Sequence, residues 1–256
     1  MKILVTNDDG IHAPGLEVLE AVAHELSDDV WTCAPADNQT GAGHSLTLSM
    51  PVRLRQHSER RFSVTGTPTD AVSMGLKEVL DGTPDLILSG VNAGANLGDD
   101  ITYSGTVSAA MEGALAGVPS IALSQVMTQD RPASGDRFHA ARHWASRIIR
   151  PLIDASFAPR TLASINFPAL DADDVKGVKV TRQGFHDYAR ASVIKGRDPR
   201  GGDYYWFGLE AIEHTLDHGT DLEAIAGGYV SVTPLQLELT HHASLASLRE
   251  RLENNS

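Results

Sequence analysis

Lys2-Ile3-Leu4-Val5-Thr6-Asn7-Asp8-Asp9-Gly10 decides how the rest of this 256-residue chain is read. Ile3, Leu4 and Val5 form a short apolar run without polar alternation, which predicts a strand buried on both faces, as in a parallel sheet. The chain then turns polar, and two carboxylates stand side by side. In open parallel sheets, ligands bind in the crevice beyond the carboxyl ends of the strands. Asp8 and Asp9 fall at that place. Adjacent carboxylates repel one another, and burying both is costly without a cation. The plainer alternative is a turn in which Asn7 or Asp9 caps the next helix, although one such side chain would be enough for a cap.

The same unit recurs along the chain. Strands are expected at Val30 to Ala34, Leu86 to Ser89 and Ser120 to Ser124. Between them, Leu16, Leu19, Ala23 and Leu26, and later Val107, Met111, Ala114 and Leu115, recur at helical spacing. Thr67, Pro68 and Asp70 mark a further helix start: a cap, a first-turn proline and an acid three residues on. A long helix over Phe138 to Ile153 and a strand over Leu162 to Phe167 continue the pattern. Alternation of this kind predicts an α/β fold with a doubly wound, mostly parallel, Rossmann-like sheet. We divide the chain into a core, residues 1–182, and an extension packed on it, residues 183–256. The extension is expected to hold hairpins and loops, a strand over Tyr229 to Pro234, and a short helix marked by Leu245, Leu248 and Leu252. Arg190, Lys195, Arg197 and Arg200 make its first part the one locally basic stretch.

Composition narrows the partners. Asp and Glu number 33 against 21 Lys and Arg, a formal net charge of −12. General nucleic-acid binding rests on clustered Lys and Arg, so this balance argues against it. Cys33 is the single cysteine, which excludes an internal disulfide framework and a multi-cysteine zinc site. Its apolar neighbours place it in a core strand. The apolar run before Asp8 is too short for a signal peptide, and Glu112, Gly117 and Pro119 interrupt the one long small-apolar stretch. The expectation is a cytoplasmic protein with no membrane span.

Four polar clusters are placed to carry chemistry. Asn7 to Gly10 follows the first strand, and Asp37 to His44 follows the second with neutral oxygens and glycines. The long loop from Ser89 to Asp100 follows the third, and Tyr103-Ser104-Gly105-Thr106 precedes a helix. Backbone amides at a helix N-terminus, joined by the hydroxyls of Ser104 and Thr106, make a seat for phosphate. Ser104 as a simple N-cap is compatible with the same role. The absence of G-x-x-x-x-G-K-[ST], of G-x-G-x-x-G after the first strand, of G-x-S-x-G and of H-E-x-x-H sets aside several chemistries. They are P-loop hydrolysis, dinucleotide redox chemistry, α/β-hydrolase chemistry and a zincin centre. His214 and His218 have the spacing of a zinc pair but lack a third ligand, and they read as surface histidines, as do His241 and His242. What remains is the oxygen-rich set Asp8, Asp9, Thr40 and Asn92, which suits Mg²⁺, Mn²⁺ or Ca²⁺. A hard cation beside a helix-terminal anion seat is the apparatus of a metal-dependent phosphohydrolase.

At these residues the chain resembles the survival protein SurE family of metal-dependent nucleotidases. The likeness runs through Ile3 to Gly10, Ala13-Pro14-Gly15, Ser45-Leu46-Thr47, Gly66-Thr67-Pro68-Thr69-Asp70 and Ser89-Gly90-Val91-Asn92-Ala93-Gly94. It continues through Asn96-Leu97-Gly98, Tyr103 to Val107, Ala110-Met111-Glu112-Gly113, Asn166-Phe167-Pro168 and Gly228 to Leu235. The resemblance implies hydrolysis of nucleoside 5′-monophosphates, with 3′-monophosphates and polyphosphate as further substrates. It implies one divalent cation per subunit, Mg²⁺ or Mn²⁺, on Asp8, Asp9, Thr40 and Asn92, with Thr40 where serine is usual. Asn96, Ser104, Gly105 and Thr106 correspond to the phosphate pocket, and Asp8 and Asp9 to the catalytic acids. The implied assembly is a homodimer or homotetramer joined through C-terminal elements. Two rival readings are a non-catalytic regulator that binds nucleotide or metal, and a haloacid-dehalogenase-type phosphatase. The latter expects its two acids separated by one residue.

Overall fold

Strand-forming runs that are apolar on both sides need cover on both faces, and the computed structural model supplies it with helices on either side of one large sheet. The structure describes residues 1–128, 132–155, 157–185, 192–208 and 218–253. Arg190 and His214 lie outside them. The sheet runs in the order β3 (Leu54–Ser58), β4 (Arg61–Val64), β2 (Asp29–Pro35), β1 (Lys2–Thr6), β5 (Leu86–Ala93), β6 (Ser120–Gln125), β7 (Thr161–Phe167), β11 (Val230–Gln236) and β8 (Val178–Val180). Neighbouring strands from β4 to β7 are parallel, while β3 on β4 and β11 on β7 are antiparallel. A mostly parallel, doubly wound sheet therefore stands, and its core is built as the apolar runs require.

Alternation along β1 assigns the two faces. Ile3 and Val5 pack with α1 (Pro14–Leu26) and α4 (His139–Ile153) in the larger core. Leu4 packs on the opposite side with Cys33, Ile87, Ala71 and Ala109, under α2 (Pro68–Met74) and α3 (Gly105–Leu115). Cys33 is fully buried, as its neighbours predict. Thr67 caps α2 through its hydroxyl, Pro68 opens the first turn, and Asp70 returns a carboxylate to the Thr67 amide. This reciprocal capping box satisfies two amides that the helix itself cannot reach.

Three features differ from the sequence reading. The edge pair β3 and β4 was not predicted, because Arg55, Gln56, His57 and Ser58 carry no apolar alternation. Strand β5 runs past Ser89 to Ala93, so Asn92 sits on a strand rather than in a loop. The ladder to β6 shifts between Ser89 and Asn92, and this irregularity lets polar residues continue the strand. In the extension, β11 is an integral strand of the main sheet and α5 (Asp221–Ala226) packs against it. Among the described residues, the hairpin of β9 (Ser192–Arg197) and β10 (Asp203–Gly208) pairs only with itself. The last helix, α6 (His242–Leu252), buries no residue.

Candidate active site

The sheet brings the carboxyl ends of β1, β2 and β5 together, and three predicted clusters meet there. Asp8 follows β1 and is 3% exposed. Its carboxylate accepts a hydrogen bond from the Thr106 hydroxyl in the first turn of α3. Its backbone carbonyl accepts the amide of Gln39 at 2.8 Å, which fixes the second loop beside the first. Asp9 is half-buried and accepts the Ala93 amide at 3.2 Å, which ties it to the end of β5 next to Asn92. Asn7 exchanges two hydrogen bonds with Gly10, at 2.9 and 3.2 Å. Helix α1 is capped by Ala13 without any side-chain bond. Neither Asn7 nor Asp9 is a helix cap, and the plain alternative for this pair falls.

Burial sets the electrostatics. Desolvation pushes the Asp8 carboxyl up to about 6, the Asp9 charge adds to the rise, and the hydrogen bonds from Thr106 work against it. A buried carboxylate in that state gains from a nearby cation. The sequence names two carboxylates, the Thr40 hydroxyl and the Asn92 side-chain carbonyl as the oxygens that a cation here would use. Thr40 donates its hydroxyl to Asn38 at 2.7 Å, so its oxygen lone pairs stay available. Asn92 spends its N–H on the Gly94 carbonyl at 2.9 Å, so its side-chain oxygen is the atom that would meet a cation. Among the described residues no three His, Cys, Asp or Glu side chains gather into a metal-binding group. Any cation here would depend on those neutral oxygens, and the all-oxygen set fits a hard divalent ion.

Opposite Asp8 stands the N-terminus of α3. Ser104 caps it, accepting the Val107 amide at 3.1 Å, as expected. Gly105 lets the helix approach closely. A Cβ there would lie 2.7 Å from Asp8 Cβ and 2.9 Å from Asp8 Oδ2, below any normal contact. Asp8 therefore lies directly against the amides that would hold phosphate.

Asn96 is buried as well, but its neighbours belong to β6 and β7. It donates to Ser124 Oγ at 2.8 Å, and Asn166 clasps its backbone at both the amide, 2.9 Å, and the carbonyl, 3.1 Å. Two supports of this kind escaped the sequence reading of roles: Asn166, and Asp221, which accepts the Gly98 amide at 2.9 Å and the Gly184 amide at 2.8 Å. Asn166 stood in a quoted motif, Asn166-Phe167-Pro168, yet nothing in its spacing told of Asn96. His218 lies exposed beside Glu223 at 3.2 Å, consistent with a surface histidine.

Residues 3–190 match the model of the family described as survival protein SurE. The chain belongs to the SurE family. The relative named 5′-nucleotidase SurE from Erythrobacter litoralis is 69% identical over 254 residues, covering 99% of this chain and 100% of that protein. The protein of the same name from Rhizorhabdus wittichii is 56% identical, covering 96% of this chain and 98% of its own length. The crystal structure of a SurE protein from Aquifex aeolicus superposes with a TM-score of 0.85 at 39% identity, covering 98% of this chain and 99% of that one. The fold is thus the SurE fold, and family membership displaces the haloacid-dehalogenase alternative. Among the described residues of this SurE chain, no helix is long and apolar enough to cross a membrane.

Proposed function

We propose that this chain is a metal-dependent 5′-nucleotidase that hydrolyses nucleoside 5′-monophosphates to nucleoside and phosphate. The observation that carries the reading is Asp8: a buried carboxylate, paired with Asp9, pressed against the N-terminus of α3. The name 5′-nucleotidase SurE, borne by full-length relatives, supports the substrate class. Nucleoside 3′-monophosphates and polyphosphate are proposed as secondary substrates.

In this reading Asp8, Asp9, Thr40 and Asn92 hold one divalent cation per subunit, Mg²⁺ or Mn²⁺. When bound, it supplies Lewis-acid polarisation of the phosphoryl group. Ser104, Gly105 and Thr106 line the seat for the phosphate oxygens, with the Gly105 amide and the Ser104 hydroxyl as its donors, Thr106 held to Asp8, and Asn96 supporting that pocket. Asp8 orients a water molecule toward phosphorus and takes its proton as the P–O bond to the nucleoside breaks. The departing alkoxide is protonated by solvent. Thr106 keeps the Asp8 carboxylate oriented during this transfer.

The apolar hairpin β9–β10, with Val193, Ile194, Tyr205, Trp206 and Phe207 exposed, and the unburied α6 support a homodimer or homotetramer built through the extension. With its one cysteine buried and no disulfide to maintain, the enzyme fits the reducing cytoplasm. The deciding assay incubates the protein with AMP and Mn²⁺ or Mg²⁺, with and without EDTA, and measures free phosphate. Metal-dependent release that EDTA abolishes is the expected result. Nucleotide binding without phosphate release would favour a regulator instead.

A further inference from the structure

The loop that carries Thr40 is tied down at its two ends. Gln39 donates to the Asp8 carbonyl at 2.8 Å at one end. At the other, Thr67 donates to the Ser45 carbonyl at 2.7 Å, and the Thr47 amide and hydroxyl donate to Asp70 at 3.1 and 2.5 Å. Between these anchors lie Gly41 and Gly43, with φ of +80° and +56°, and no atom comes within 4 Å of where a Gly41 Cβ would be. Such a segment has little packing of its own to fix it. One side chain in it reaches the opposite wall of the site. His44 Nε2 lies 3.3 Å from Glu112 Oε2, on the third turn of α3. The other oxygen of Glu112 accepts the Ser73 hydroxyl of α2 at 2.9 Å. Glu112 therefore joins the Thr40 loop, α2 and the helix whose first turn seats the phosphate.

We infer that His44 and Glu112 form a positioning pair that holds the Thr40 loop against α3 and so presets the oxygen ligands for the divalent cation. The inference rests on the metal-dependent reading above, with Thr40 as a ligand. Glu112 itself touches neither substrate nor cation. Its carboxylate lies below its ordinary range, chiefly because His44 bonds to it, with burial opposing and Ser73 assisting. The ionised acid is thus the form that grips the loop. Outer-shell partners of this sort typically change metal affinity by about 10–100-fold, and a partly exposed pair falls at or below the lower end.

The test is Mn²⁺ titration calorimetry on the full-length protein, run beside AMP hydrolysis at graded Mn²⁺. His44→Ala and Glu112→Ala should each weaken Mn²⁺ binding by about three- to tenfold. The double variant should be no weaker than the worse single, because both remove one contact. Glu112→Gln keeps one acceptor oxygen but loses the charge, so its loss of affinity should fall between wild type and Glu112→Ala. Rate losses at low Mn²⁺ should be regained by raising it. Unchanged affinity in the single variants, additive losses in the double variant, or losses that track a lower melting temperature would each overturn the pair's role. If an alanine variant fails to fold, Glu112→Gln and His44→Asn carry the same titration. A wild-type protein that binds Mn²⁺ but releases no phosphate from AMP refutes the nucleotidase reading and leaves the pair testable by calorimetry. A wild-type protein that does not bind Mn²⁺ refutes both.

Discussion

The strand-end cluster around Asp8 and the β9–β10 hairpin break opposite rules of burial. The first hides charge: Asp8 is almost wholly buried beside Asp9, and desolvation acts against its ionisation. The second displays apolar surface: Trp206 and Phe207 are 67% and 88% exposed on a two-stranded sheet that pairs with no other strand among the described residues. A buried charge demands a counter-ion, and an exposed aromatic ribbon demands a cover. The proposed cation would complete the first region, and the proposed homo-oligomer would cover the second. The two kinds of incompleteness separate the enzyme's chemistry from its assembly.

Substitutions can test how far that separation holds. Asp8→Asn should bring the largest change, a loss of AMP turnover of about three orders of magnitude or more. Thermal unfolding of the metal-free protein should show no loss of stability, since a desolvated charge is removed. Near-normal phosphate release would defeat the assignment. Gly105→Ala comes next, because its Cβ must displace Asp8 from 2.7 Å. Activity should fall by about 100-fold, in line with the cost of misplacing a reacting group by an ångström. A silent variant would mean that the contact between α3 and Asp8 is not required.

Asp70 probes the scaffold that anchors the loop after β2. Burial opposes its ionisation, but hydrogen bonds from Thr47 and Thr67 outweigh it, so the carboxyl titrates below its ordinary value of 3.8. A carboxyl depressed by folding adds stability above that ordinary value and loses it as pH falls through the folded one. Asp70→Asn should therefore cost about 1 kcal/mol at neutral pH, after solvent screening. The difference should close below about pH 4. Denaturant melts at several pH values measure this, and a gap that widens in acid would contradict the capping account. Smallest in catalytic effect are Trp206→Ser and Phe207→Ser. Light scattering should report a smaller assembly while AMP turnover per chain changes less than about twofold, an effect confined to the surface. A collapse of activity would show that the extension completes the site.

Much of the active region was legible because its residues stand next to one another in the chain. Asp8 and Asp9 follow a run that only a buried strand explains, and Ser104 announces α3 by the side chain that caps it. The capping box of Thr67 and Asp70 was equally local. The edge strands β3 and β4 were not legible, since a polar edge strand owes its conformation to the partner it pairs with. Nor was the place of β11 in the main sheet, where Ser231 to Gln236 pair with Thr161 to Asn166 from far earlier in the chain.

By itself, then, the sequence determined the parallel α/β scaffold, the acidic pair at the first strand end and the Ser104-capped start of α3. Each depends on periodicity, capping or adjacency within a few residues. Tertiary structure alone decided that Asp8 lies against Gly105 and Thr106, that Asn166 clasps Asn96, and that His44 reaches Glu112 across 68 positions. Those contacts exist because parallel strands bring distant loops to one edge of the sheet, and no local pattern records which loop will face which.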